Sequence, residues 1–414
     1  QLKYAHANGL LSDDIFAVAN ILKVMSLHRV SDIYGPLPVL HFGETENPYN
    51  SQEECYMHFF ETLDSAIAVL KDVVENNPDA KPLEEVDALY HGDYSKWLKL
   101  ANSVKLRLAM RICYVKPDLA KQYAMEAVRD GVMETADDSA LFQSWGSITI
   151  INPLEKIWNG YSDTRMGASM DSYLNGYNDP RLPVYFQPVT EGDNKGEYRG
   201  VANGMPNPQQ DDYKAMSAPN VQEKSTDSPL RWMMASEVAF LRAEGAMRGW
   251  TAEMGGTAEE FYNKGIELSF LENGLSADAA ARYAADETSK PTDFTDVSTA
   301  NTKYNISALG KITIKWNAGA SEEEQLERII TQKWIAMFPN GTEAWSEFRR
   351  TGYPRLFPVR YNYPSSGVDT NKQIRRMVFP QSEYSNNGAA VQEAVKLLGG
   401  PDNGGTKLWW DKKN

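Results

Sequence analysis

Two adjacent carboxylate pairs, Asp137/Asp138 and Asp211/Asp212, and five histidines are the residues with which this sequence could do acid–base or metal chemistry. Glycoside hydrolysis needs two carboxylates held at a set separation across a cleft, and adjacency in sequence does not supply that separation. With 56 Asp and Glu residues such pairs arise by chance, so the acidic runs read as solvated faces. The histidines at 6, 28, 41, 58 and 91 lack ligand spacing; His6 and His58 read as helix-surface residues rather than zinc ligands. HExxH, GxSxG, P-loop and GxGxxG patterns are absent. Cys55 and Cys113 lie inside helical patterns without CxxC or Cys/His spacing, and read as buried thiols. The expectation is no catalytic residue, no metal site and no cofactor.

Aromatic side chains on irregular stretches point to different chemistry. A ring offers a flat apolar face to the C–H side of a pyranose, while Asn, Asp and Arg hydrogen-bond the hydroxyls. Trp145, Trp158, Tyr161, Tyr198 and Tyr213 come from loop-like sequence with such polar neighbours. Trp158, Tyr161 and Tyr198 are candidate stacking surfaces, and Asn50 and Arg165 candidate partners for hydroxyls. Tyr49 joins them from an early Pro/Gly loop. The competing role for each ring is a plug in the core beneath a long loop.

Helices must position these residues. Ser12 before Asp13 and Asp14 marks a helix start, and Ile15, Val18, Ala19, Leu22 and Met25 follow at helical spacing. "YGPLPVLHFGETENPYN" breaks that pattern as an extended loop. Capping boxes are expected at Ser51/Glu54, Thr257/Glu260 and Ser321/Glu324, each ahead of an apolar stripe. Helices are also predicted over "DYSKWLKLANSVKLRLAMRICYV" and over "DLAKQYAMEAVRDG", the latter stopping at Gly131. From about 135 to 230 the periodicity collapses into Gly-, Asn-, Tyr- and Trp-rich sequence with one helix near 165–175, a span long enough to be functional. Helices return at "RWMMASEVAFLRAEGAMRGW" and "AEEFYNKGIELSFLENG", the best repeat-like hairpin. The fold class read here is mainly α. One domain over 1–414 would hold tetratricopeptide-like helix pairs at about 1–131 and 231–338, an irregular binding part at about 135–230, and a C-terminal signature segment and coil at 339–414.

Composition narrows the partners. A net charge of −14 repels phosphate backbones and argues against nucleic acid. No run of 18 apolar residues spans a membrane.

The segment "NGTEAWSEFRRTGYPRL" (340–356) sets Trp345, Phe348, Arg349 and Arg350 behind an Asn-Gly turn. With its upstream helix, "ERIITQKWIAMFPNGTEAWSEFRRTGYPRL" resembles the signature of the SusD/RagB family, in its SusD-like lipoprotein branch. "RVSDIYGPLPV", "WLKLANSVKLRLAMRI", "GYNDPRLPVYFQPV", "SPLRWMMASEVAFLRAEGAMRGW", "RRMVFPQSEYSNN" and the terminal "LWWD" resemble further family segments in the family's order. The resemblance covers nearly the whole chain. It makes 340–356 structural, with Trp345 and Phe348 buried and the two arginines paired with carboxylates or carbonyls.

The resemblance also implies a role. Similar proteins are outer-membrane, cell-surface lipoproteins of Bacteroidetes that cap a SusC-like TonB-dependent transporter and deliver oligosaccharide, polysaccharide or sometimes peptide to it. Their helix pairs face the transporter. Neither Cys55 nor Cys113 is near Gln1, so a lipid-anchoring cysteine is expected upstream of it. The family's sugar-binding positions vary, so the site candidates above rest on composition. Alternatives to a glycan-capturing importer subunit are a peptide-binding relative, a helical glycoside hydrolase and a cytoplasmic repeat scaffold.

Overall fold

The computed structural model describes residues 1–206, 209–221 and 228–413, with Trp158 described through its backbone alone. Its principal elements are α1 (Leu2–Ala7), α2 (Asp13–Tyr34), α3 (Gln52–Asn76), α4 (Tyr94–Arg111) and α5 (Pro117–Arg129). After them come β1 (Ala140–Phe142), α6 (Ala168–Gly176), β2 (Leu230–Met233), α7 (Ala235–Gly245), α8 (Ala258–Leu271) and α9 (Ala277–Ala284). The chain closes with α10 (Glu322–Ala336), α11 (Gly341–Thr351) and α12 (Gln381–Leu398). The three capping boxes form as the sequence predicts, each joining a Ser or Thr hydroxyl to the backbone three residues on and a Glu carboxylate to the cap.

Helix pairs α2/α3, α4/α5 and α7/α8 each pack against one another as neighbours. Small residues let them approach. Ala101, Ala109, Ala120, Ala124 and Ala127 are wholly buried around α4 and α5. At Gly265 a side chain would meet the Phe240 ring at 2.7 Å, so α7 and α8 touch there through backbone and ring. One apolar core runs through α2–α5 and α7, and a second joins α6, α8, α9 and α10. Cys55 and Cys113 are buried free thiols in the first region.

Two local expectations are corrected. Residues 230–233 form strand β2, paired antiparallel with β1, and α7 begins only at Ala235. Asn340-Gly341 is not a separate turn but the start of helix α11, with Asn340 as its N-cap.

That helix carries the answer to the 340–356 segment. Arg350 donates to Glu244 at 2.7 and 2.6 Å and to Glu347 at 3.1 and 2.6 Å. Arg107 forks onto Glu237 at 2.8 and 2.7 Å, and Arg111 reaches Glu347 at 2.9 Å and Glu343. Lys333 lies 3.3 Å from Glu347. All of these side chains are buried, so α4, α7, α10 and α11 are cross-tied inside the protein. Burial alone would raise the Glu244 carboxyl, but Arg350 and Arg248 more than offset it and hold it at about 2. Glu343 is held at about 2 in the same way by Arg111 and Arg107, and Glu347 lower still by Arg350, Lys333 and Arg111.

Arg349 is different: it donates to the Arg375 carbonyl at 2.9 Å and Ser346 Oγ at 2.8 Å. Its guanidinium lies 3.5 Å from the Trp345 ring centre and 4.9 Å from that of Trp410. Trp345 is half-buried, with its indole N–H on the Ile374 carbonyl at 2.8 Å, and Phe348 is buried. The C-terminal coil is drawn in with them, since Trp410 is wholly buried and donates to Asp32 at 2.9 Å.

Candidate functional site

The irregular middle of the chain is held by backbone bonds from residues far apart in sequence. Met166 N donates to the Ser217 carbonyl, Val201 N to Met166, and Ala168 N to Val201, each at 2.8 Å. Gly167 and Val201 form a parallel bridge, and Phe186 and Pro219 an antiparallel one. Asp171 on α6 accepts from Gly200 N at 2.7 Å and from Asn175 at 2.8 Å; burial raises its carboxyl above the ordinary range. These ties fix two adjoining cavities.

The larger holds about 470 Å³ and is lined by Ser162, Asp163, Asn203, Gln209, Gln210 and Tyr213 among others. The smaller, about 270 Å³, is lined mainly by apolar side chains, including Leu154, Met170, Phe186, Trp334, Phe338 and Phe357. Arg165, Met166, Gly167 and Asn203 line both and form their common wall.

Arg165 builds this wall. Its guanidinium donates to the carbonyls of Ser162 (2.9 Å), Thr164 (2.9 Å), Tyr213 (3.2 Å) and Lys214 (2.7 Å). Burial pushes the group down and Asp163 partly offsets that. Ser162 sits at φ +54°, a left-handed conformation unusual for serine, and its carbonyl also accepts from Gln210 at 3.2 Å. Tyr213 is buried, with its hydroxyl 2.8 Å from Met205 Sδ.

A third segment is tied to Gly204, a residue of the larger cavity's lining. Tyr361 N donates to the Gly204 carbonyl at 3.0 Å, and Gly204, at φ +70°, has Val359 where a side chain would stand. Only glycine permits that approach. Arg360 lies over Tyr304 at 5.3 Å and donates to the Asn305 carbonyl at 2.8 Å, fixing the same segment from its other side. Tyr361 and Tyr363 then stand 47% and 70% exposed, edge to face at 5.6 Å. Tyr161, next to the wall residue Ser162, is 60% exposed.

Of the residues expected from sequence, Arg165 and Tyr213 line the larger cavity and Tyr161 adjoins it. The Trp158 side chain falls outside the described residues. Tyr198 is half-buried against the second core. Tyr49 donates to Glu383 at 2.8 Å and packs edge-on against Phe379, tying the early loop to α12. Asn50 is buried, its carboxamide oxygen accepting from Val39 N (3.1 Å) and Leu40 N (3.0 Å). Trp145 lies 3.6 Å from the His91 ring and donates to the Glu84 carbonyl at 2.6 Å. The last four line neither cavity. Sequence reading missed Tyr361, Tyr363 and Asn203; "RYNYP" and "ANGMPNP" carried the signal, aromatic and Asn-rich irregular sequence, but nothing local links them. Among the described residues no cluster of three or more His, Cys, Asp or Glu could hold a metal ion, and no helix is long and apolar enough to cross a membrane.

Residues 3–411 match the SusD-like family, described as Susd and RagB outer membrane lipoprotein. The chain belongs to that family. A chitin-binding SusD homolog from Flavobacterium johnsoniae is 41% identical, with a TM-score of 0.92 over 99% of this chain and 83% of that one. A SusD-like protein from Bacteroides thetaiotaomicron VPI-5482 is 41% identical, with a TM-score of 0.91 over 99% of this chain and 84% of that one. A SusD homolog from Bacteroides uniformis ATCC 8492 is 40% identical, with a TM-score of 0.89 over 99% and 83%. No curated protein sequence matches. SusD-family membership makes the chain a non-catalytic, lipid-anchored protein of the outer membrane.

Proposed function

We propose that this SusD-family protein captures oligosaccharide at the cell surface and passes it to a SusC-like TonB-dependent transporter. The observation that carries the reading is the larger cavity with the segments tied to its lining. Asn203, Gln210 and Asp163 offer donors and acceptors on a wall locked by Arg165, while the exposed Tyr161 precedes the wall residue Ser162 and the exposed Tyr361, in edge contact with Tyr363, is bonded through its backbone to the wall residue Gly204. Such a surface suits a sugar, whose hydroxyls need paired hydrogen bonds and whose C–H faces need apolar cover. The chitin-binding name of a 41%-identical relative makes β-linked, N-acetylated oligosaccharides the first ligands to try.

Locked backbone serves such a role, because a preformed site loses little conformational freedom on binding. Isothermal titration with a panel of oligosaccharides tests it. Binding without release of product, weakened by Tyr363→Ala with no change in melting temperature, supports the reading. Absence of binding across the panel contradicts it. The handover step is tested separately, by recovery of a TonB-dependent transporter with the protein from detergent-solubilised outer membranes. Recovery of the protein alone under mild detergent would count against that step.

A further inference from the structure

The smaller cavity poses a question that oligosaccharide capture alone leaves open. A site for hydroxyls alone needs no apolar chamber, yet about 270 Å³ of space lined by Leu154, Met170, Phe186, Trp334, Phe338 and Phe357 opens beside the polar one. The polar groups of its wall are largely engaged. Arg165 donates to four carbonyls, Ser169 Oγ accepts from Phe357 N at 3.0 Å, and Gln373 donates to the Phe357 carbonyl at 3.0 Å. Asn203 is the exception. It lies on the common wall, is exposed, and its carboxamide makes no hydrogen bond among the described residues.

The geometry points to a specificity subsite in which the smaller cavity takes the acyl substituent of an N-acylated amino sugar whose ring occupies the larger one. The inference rests on the glycan reading above and deepens it. An acetamido group presents one N–H, one carbonyl and one methyl. A primary carboxamide such as that of Asn203 can accept from the N–H and donate to the carbonyl of such a group. The methyl then enters a chamber whose walls are mainly apolar, and removing that surface from water is favourable. A hydroxyl in the same place would lose its water partners and find few in return, because the Ser169, Gln373 and Arg165 side chains of the wall are already engaged. Leu154 is the adjustable part of the wall. It sits half-buried on the short helical turn Pro153–Glu155, outside both main cores, so its size sets the cavity's depth without supporting the fold.

The test compares the hexamers of β-1,4-linked N-acetylglucosamine and of β-1,4-linked glucose, which share linkage and ring geometry and differ in the acetamido groups. Wild-type protein binds the acetylated hexamer tighter by about tenfold or more, the discrimination an apolar pocket gives for a methyl-sized group. Leu154→Trp, which fills the chamber, weakens acetylated-hexamer binding by about the same factor and reduces the preference. Melting curves establish that the variants are folded, and Met170→Trp, from α6, fills the chamber if Leu154→Trp does not fold. Equal affinity for the two hexamers in wild type, or a preference that survives filling, overturns the inference and leaves oligosaccharide capture standing. Binding of neither hexamer, nor of any other oligosaccharide, overturns both.

Discussion

Replacing Arg350 by Met removes a guanidinium that makes four hydrogen bonds of 2.6 to 3.1 Å to Glu244 and Glu347 while keeping an unbranched chain in its place. Both carboxylates stay buried. Glu244 keeps Arg248 at 2.8 Å, and Glu347 keeps Arg111 at 2.9 Å and Lys333 at 3.3 Å, so neither is orphaned but both lose their closest cation. Breaking a buried ion pair from one side costs about 3–5 kcal/mol, because the remaining charges are left under-compensated and cannot regain water. A chain of 414 residues has an unfolding entropy near 0.9 kcal/mol per kelvin, so the melting temperature should fall by about 3–6 °C.

The assay is a melt at pH 7, repeated at pH 4, beside a glycan titration. Wild-type Glu244 is held at about 2, below the ordinary glutamate value of about 4.3. A depressed carboxyl contributes stability that is complete above its unfolded pKa and lost as pH falls through its folded one. Wild type should therefore keep most of this contribution at pH 4, and the variant, whose carboxylates have lost their closest cation and sit nearer their ordinary range, has less of it to lose, so the gap between the two melting temperatures should narrow between pH 7 and pH 4. Glycan affinity should not change, since Arg350 lines neither cavity. A shift under about 1 °C, or a loss of glycan affinity with stability intact, would refute the structural role assigned to this arginine.

Other outcomes follow from the same contacts. Tyr363→Ala should weaken glycan binding by roughly tenfold to a hundredfold, taking about 1–3 kcal/mol for one stacking ring, with no change in melting temperature because the ring is 70% exposed. Asn50→Ala should leave glycan affinity unchanged and lower stability by about 1–3 kcal/mol, since Val39 N and Leu40 N lose their acceptor; differential scanning calorimetry reads this. Cys55 and Cys113 should resist thiol reagents in the native protein and react fully in denaturant, because both are buried and burial raises both thiols, Cys55 to about 12.

The helical framework was legible because its signals are local. A Ser or Thr with Glu three residues on marked α3, α8 and α10, and apolar spacing of three and four marked the faces they bury. The role of 340–356 was legible as chemistry, since paired arginines beside Trp and Phe in an acidic protein must find carboxylates or carbonyls when buried. Its partners were not, because Glu244 and Arg111 lie more than a hundred residues away. The site was less legible for the same reason. Its walls depend on Gly167 meeting Val201 and Gly204 meeting Val359, pairings between irregular segments that no periodicity announces. Arg165 and Tyr213, chosen by composition, line the larger cavity, whereas Asn50 and Trp145, equally suitable by type, have their polar groups engaged within the fold.

The most direct test of glycan capture at the larger cavity is isothermal titration of N-acetylglucosamine hexamer into wild-type protein and into Tyr361→Ala/Tyr363→Ala/Asn203→Ala. Saturable binding by wild type, lost in a triple variant of unchanged melting temperature, is the expected result. Equal binding by both proteins, or binding of peptides with none of oligosaccharides, would contradict it.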